Sequence, residues 1–211
     1  MIFPSLVSPV EPVKDEWSIL TDLFEAGLQK YYLRKTGLRL QDYERCLKNI
    51  PERFMDRVVL HEHFTIMFDY PFKEIHLKTR EREAFAIKER FNRLINEAHN
   101  IGVVCSTSVH SIDELWELNG IMDRIWVGPI FNSISKPGLK PTVDWIKELN
   151  NESTISKIVA LGGIHELNAP ALMRKPFEEI IISGGLWKQN EPHVKVFKNI
   201  EAICKDYVLS F

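Results

Sequence analysis

Short apolar runs alternate with longer stretches of helical periodicity from one end of the chain to the other. The runs that read as strands are Met1–Val7, Leu28–Leu33, Arg57–Leu60, Glu74–Leu77, Gly102–Ser106, Arg124–Val127, Lys157–Leu161 and Glu179–Ile182. Several are rich in Val and Ile and lack a polar alternate, as expected of parallel strands covered on both faces. Between them, Arg80–Asn100 reads as a helix because Ala84, Ile87, Phe91, Leu94, Ile95 and Ala98 fall on one face. The last helix repeats that pattern with Phe197, Ile200, Ile203 and Cys204. Ser111-Ile-Asp-Glu114 is a capping box, which places a helix start directly after the fifth strand. The third helix, near Phe64–Tyr70, has room for only about two turns.

Eight strands in strict alternation with eight helices imply a parallel sheet, and eight units suggest closure into a (β/α)8 barrel of the TIM type. The 211 residues match the lower size range of that fold. No Pro/Gly/Ser linker or shift in composition divides the chain, so residues 1–211 read as a single barrel domain. An open doubly wound sheet is the alternative that the same alternation allows.

Composition narrows the function classes. Hydrophobic residues at 45% and charged residues at 27% are ordinary for a soluble globular protein. A net charge of −2 argues against a general binder of nucleic acid or anionic membrane and leaves room for small anionic ligands. Cys46, Cys105 and Cys204 are widely spaced with no CxxC pair, which reads as reduced thiols of a cytoplasmic protein. The N-terminus has no basic region or long apolar stretch of a signal peptide, and no run is of membrane-spanning length. Trp17 and Trp187 could pair two barrels through surface helices or simply pack locally, so a homo-oligomer stays open.

In a barrel the chemistry sits at the C-terminal ends of the strands, and phosphate is often held after the seventh and eighth. The seventh strand here ends Ala160-Leu-Gly-Gly-Ile164 and the eighth ends Ile182-Ser-Gly-Gly-Leu186. Glycine lets backbone N–H groups approach an anion, and a helix starting just beyond adds its positive end. Ser183 is a further donor. One Gly-Gly pair would read as a tight turn; two pairs, after these two strands, point to phosphate. The loop after the sixth strand, Gly128-Pro-Ile-Phe-Asn-Ser-Ile-Ser-Lys-Pro-Gly138, adds Ser133, Ser135 and Lys136 as two hydroxyls and a cation.

In this order the loops resemble the thiamine phosphate synthase family and its relatives, the thiazole tautomerases. The family's GPxFPTxTK is similar to GPIFNSISK here, its xIGGI to ALGGI, its Gly-x-Ser-x-His to Ser106-Thr-Ser-Val-His110, and its (Q)LRxKG to Tyr32-Leu-Arg-Lys-Thr-Gly37. The resemblance implies a transferase joining hydroxymethylpyrimidine pyrophosphate to thiazole phosphate, with an ionised pyrimidine trapped by the thiazole nitrogen. It implies that the thiazole phosphate rests on Ser133, Ser135, Gly162, Gly163, Ile182 and Ser183. Arg34, Ser108 and Lys136 would face the pyrophosphate, with magnesium.

The family lysine after the second strand falls on Thr36, with Lys35 beside it to supply the charge, and the Asn-Asp after the third falls on His61-Glu62. The second metal-binding Asp falls near Glu81, so the resemblance implies Glu62 and Glu81 as ligands for Mg2+. An isomerase acting on thiazole phosphate is the alternative, with His61, His76 or His110 as proton shuttle. A non-catalytic barrel that binds a thiamine precursor is a third. A lone histidine is more often structural than catalytic.

Overall fold

The computed structural model describes residues 2–9, 11–79, 88–150 and 152–206. Eight parallel strands close into a barrel: β1 (Phe3–Val7), β2 (Tyr31–Leu33), β3 (Val58–Leu60), β4 (Glu74–Leu77), β5 (Val104–Val109), β6 (Arg124–Val127), β7 (Lys157–Leu161) and β8 (Glu179–Ile182). The seam is the parallel pair β1–β8, in register from Phe3↔Glu179 to Leu6↔Ile182. Closure leaves no sheet edge and decides against the open doubly wound alternative. The expected bounds of β4, β6, β7 and β8 stand, whereas β5 begins later and runs on to Val109.

The helices are α1 (Glu16–Glu25), α2 (Leu40–Lys48), α3 (Lys88–Asn100), α4 (Ile112–Leu118), α5 (Trp145–Glu148), α6 (Gly184–Trp187) and α7 (His193–Asp206). In α3 the expected stripe is buried at Phe91, Ile95 and Ala98, while the Arg80–Ile87 part of the predicted helix, with Ala84 and Ile87, lies outside the described residues. Residues Val196, Phe197, Ile200 and Cys204 of α7 are buried, and the helix packs on β1 and α1. The capping box forms: Ser111 Oγ accepts from Glu114 N–H at 3.2 Å, and Glu114 accepts from His110 N–H at 2.7 Å. The expected α-helical alternation fails in units three and seven. The crossovers there carry 3-10 turns, Phe64–Phe68 and Ala169–Leu172. Pro71 holds Tyr70 out of the helical region and leaves no room to extend the first of these.

Strand residues alternate between two cores. Leu6, Leu33, Leu60, Leu77 and Ile182 pack outward beneath the helices, whereas Val7, Tyr32, Val59, Trp126, Val159 and Ile181 form a separate cluster in the barrel lumen. The lumen also buries polar groups, among them Ser5, His61, Glu74, His76, Ser106 and Glu179. Trp187 is buried and donates to Val7 O at 2.8 Å, so it is a packing residue and not a free surface for pairing. Trp17 is half-buried under the Lys35 ammonium, 5.5 Å from its ring centre. Among the described residues no helix is long and apolar enough to cross a membrane.

Candidate active site

A cavity of about 650 Å3 opens at the C-terminal ends of the strands, the end where barrel enzymes place their chemistry. Its wall includes Arg34, Lys35, His61, Ser108, Ser133, Ser135, Lys136, Gly162, Gly163 and Ser183. Glu62 flanks it through Lys78, which also lines it, and Glu81 lies outside the described residues.

One side of the cavity is built from glycine. Gly162 and Gly163 follow β7 with φ of +105° and +67°, where a side chain is strained. The loop after β6 also presses on them. Ile130 N–H donates to Leu161 O at 2.9 Å and Phe131 N–H to Gly162 O at 3.0 Å. A Cβ at Gly163 would stand 2.3 Å from Asn132 O, and one at Gly185 would stand 2.1 Å from Ile164 O. The glycines therefore serve loop packing first, and the packing leaves a concave surface of main chain. Ser183 opens α6, and its hydroxyl makes no capping bond to that turn. Ile182, expected with the glycines and Ser183, is buried in the outer core and is not part of the cavity wall. Ser133 Oγ accepts from Lys136 N–H at 3.0 Å, folding the loop so that Ser135 and the exposed Lys136 border the cavity.

The opposite rim is cationic. Arg34 is fixed by its backbone, which exchanges hydrogen bonds with Ser8 Oγ at 2.9 Å. Its guanidinium has no hydrogen-bond or ion-pair partner among the described residues, and burial lowers its pKa. Lys35 contributes to the wall, but its ammonium turns to Glu16 at 2.7 Å, a carboxylate that also accepts from Tyr31 OH at 2.8 Å. Both residues lie beyond the end of β2, and only the Lys35 ammonium is drawn to a carboxylate. A residue the sequence reading passed over fills the gap: Lys78, just past β4, lies 2.6 Å from Glu62 Oε1 and 3.4 Å from Thr36 Oγ1.

Aromatic rings form the floor. His76 stacks on Trp126 with ring centres 3.7 Å apart, and His61 lies 4.6 Å from His76. His61 is fully buried, and burial, followed by the nearby His76, Arg34 and Lys78, lowers its pKa well below 6.5. The ring is thus neutral at physiological pH. Both its nitrogens and Trp126 Nε1 have no hydrogen-bond partner among the described residues. Ser106 Oγ donates to Ile75 O at 3.1 Å and therefore accepts from His76 Nδ1–H at 3.0 Å. Its Nε2 lies 2.9 Å from Ser108 Oγ. His110 is exposed at the rim, with Nδ1 3.4 Å from Gly128 O.

The fit of a magnesium ion can be judged at Glu62. Oε1 accepts from Lys78 and Oε2 from Gly37 N–H at 3.1 Å. An ion at about 2.0–2.1 Å would have to displace the ammonium, so Glu62 as placed does not fit one. Among the described residues, the group with metal-ligand chemistry close enough to share an ion is His99, Cys105 and Asp123, which lie apart from the cavity.

A sequence model described as thiamine monophosphate synthase matches residues 6–186. The thiamine-phosphate synthase of Oceanobacillus iheyensis is 25% identical over 173 residues, covering 76% of this chain and 78% of that protein. That of Listeria monocytogenes is 31% identical over 98 residues, 44% of this chain. The chain spans only 46% of the length of that curated relative in the matched stretch. Among solved structures, thiamine phosphate pyrophosphorylase from Bacteroides thetaiotaomicron superposes with a TM-score of 0.70 at 24% identity, covering 97% of this chain and 98% of that one. The protein of the same name from Pyrococcus furiosus gives 0.75 at 14%, covering 98% and 96%, and both likenesses support the barrel fold. Matched by the family model over most of its length, the chain belongs to the thiamine monophosphate synthase family.

Proposed function

We propose that the chain forms thiamine phosphate, the product for which its relatives are named, by joining a hydroxymethylpyrimidine pyrophosphate to a thiazole phosphate. The observation that carries this reading is the polarity of one cavity: a main-chain glycine surface on one side, and on the other a half-buried guanidinium with no partner among the described residues. Two anionic groups can be held apart there with an aromatic floor between them.

The thiazole phosphate rests on the backbone of Gly162, Gly163 and Ser183, with the Ser133 and Ser135 hydroxyls on its second side. The pyrophosphate faces Arg34, Ser108 and Lys136. The C–O bond to pyrophosphate breaks with its electron pair leaving on oxygen. The pyrimidine methylene cation that results is captured by the thiazole nitrogen, which forms the C–N bond and becomes quaternary. Arg34 and Lys136 stabilise charge where it develops on the leaving group. The neutral His61 ring adds no positive charge beside the cation, and Trp126 lines the same space.

Thiamine phosphate formation from the two precursors tests this reading. Product should appear only with both present, and Lys136→Ala should lower turnover by about a hundredfold. No product with either precursor order, or an unchanged rate in the variant, would overturn the assignment. An isomerase acting on thiazole phosphate is the second reading, favoured by the His76–Ser108 hydrogen bond at the floor. It predicts proton exchange on the thiazole without any pyrimidine.

A further inference from the structure

The cationic rim holds a lysine at a place where the chain offers another lysine by sequence. Lys35 lies next to Thr36 in the chain, yet its ammonium is taken by Glu16 at 2.7 Å. Lys78 arrives from the neighbouring side, two strands on, and sets its ammonium 3.4 Å from Thr36 Oγ1. Its ion pair with Glu62 at 2.6 Å is largely shielded, with side-chain exposures of 21% and 15%. Gly37 N–H holds the second carboxylate oxygen, so Glu62 is itself anchored to the loop after β2.

We propose that Lys78 is the cation that binds the leaving pyrophosphate at this rim, steered by Glu62 and standing where a magnesium ion on Glu62 would otherwise sit. The inference rests on the synthase reading for the identity of the leaving group, while the binding claim concerns pyrophosphate alone. Three observations support it. Lys78 lines the same cavity as Arg34, His61 and Ser108. Glu74, His76 and Lys78 follow one another at a spacing of two, and Glu74 and His76 are lumen residues, so the pleat delivers Lys78 to the mouth from inside. Glu62 and Thr36 hold the ammonium at the cavity wall, so its charge is fixed at the mouth. A pyrophosphate arriving there meets a charge already in position. The Glu62 carboxylate, held by Gly37, prevents the lysine from swinging into solvent.

The claim separates from metal-mediated binding by titration calorimetry of inorganic pyrophosphate, in EDTA and then in magnesium chloride. Wild-type protein should bind in EDTA, and magnesium should raise the affinity by no more than about threefold. Lys78→Ala should weaken binding in EDTA by about tenfold or more, the loss expected for one charge-assisted contact. Inorganic phosphate at the glycine side should bind Lys78→Ala as it binds wild type. Adding Thr36→Lys to Lys78→Ala should restore most of the affinity, because the two positions meet in space; this double variant also shows that the site still folds.

Three results would overturn the proposal. They are no pyrophosphate binding by wild type in EDTA, unchanged binding by Lys78→Ala, or a magnesium enhancement of tenfold or more that Glu62→Gln abolishes. Failure of the synthase reading has a different signature. Pyrophosphate would still bind through Lys78, and the two precursors together would yield no product.

Discussion

The two ends of the barrel bury similar kinds of polar residues and treat them differently. At the N-terminal end, Glu74 and Glu179 share Lys30 at 2.8 and 3.0 Å. Glu179 also accepts from Tyr32 OH at 2.6 Å, and Arg124 reaches Glu74 at 3.3 Å. Glu178 also lies 3.2 Å from Arg124, so three carboxylates meet two cations there. At the C-terminal end, the Arg34 guanidinium, both nitrogens of His61 and Trp126 Nε1 have no hydrogen-bond partner among the described residues. A buried polar group without a partner costs stability, so a fold keeps it where something else supplies the partner. The difference between the ends is therefore one between charges that pair with one another and a guanidinium, an imidazole and an indole N–H with no such partner among the described residues.

The largest effect should come from breaking the closed end. Glu179→Ala removes one of the two carboxylates on Lys30 and the near acceptor of Tyr32 OH, and a loss of about 2–3 kcal/mol in urea denaturation is expected. A loss below about 1 kcal/mol would mean that this network is not structural. At the open end the outcome reverses. Arg34→Ala should reduce turnover by about a hundredfold. Its unfolding free energy should change by less than about 0.5 kcal/mol, because no partner is stranded.

Gly163→Ala sits between these cases. Its φ of +67° and a Cβ 2.3 Å from Asn132 O should cost about 1–2 kcal/mol and weaken phosphate binding together with stability. Retained phosphate affinity in a stable variant would show that the loop packing and the cradle are separable.

The smallest effect is the pH dependence contributed by His61. Burial keeps its folded pKa well below 6.5, so the unfolded chain takes up a proton first as the medium acidifies. Stability from this group is full above about pH 6.5 and declines below it. His193, also lowered by burial, adds a contribution of the same sign. Thermal melts between pH 7.5 and 5.5 should show a smaller decline in His61→Asn than in wild type. Parallel curves would remove His61 from the account.

The sequence carried the fold where apolar runs ended at clear breaks, as in β6 and β7. It misplaced β5 because Ser106, Thr107 and Ser108 read as a strand end. They are in fact strand residues, with Ser106 and Ser108 turned to a polar lumen, where they bind His76, and Thr107 bonded to Leu77 O. The glycine side of the cavity was legible because backbone needs write themselves directly as Gly-Gly. The cationic side was legible only at Arg34. Which of Lys35 and Lys78 reaches the mouth depends on strand face and on a contact across two strands, and neither is local. The one available signal was the period of two through Glu74, His76 and Lys78. The buried charge network escaped notice for a similar reason: Lys30, Glu74, Arg124 and Glu179 are dispersed in the chain and meet only when the barrel closes.

The central claim, that the unpartnered groups of the open end do the chemistry, is tested most directly by the rate of pyrophosphate release with both precursors in wild type and Arg34→Ala. The account predicts release that requires both precursors and falls about a hundredfold in the variant, with the melting temperature unchanged. Release at an equal rate in the two proteins, or none in wild type, would contradict it.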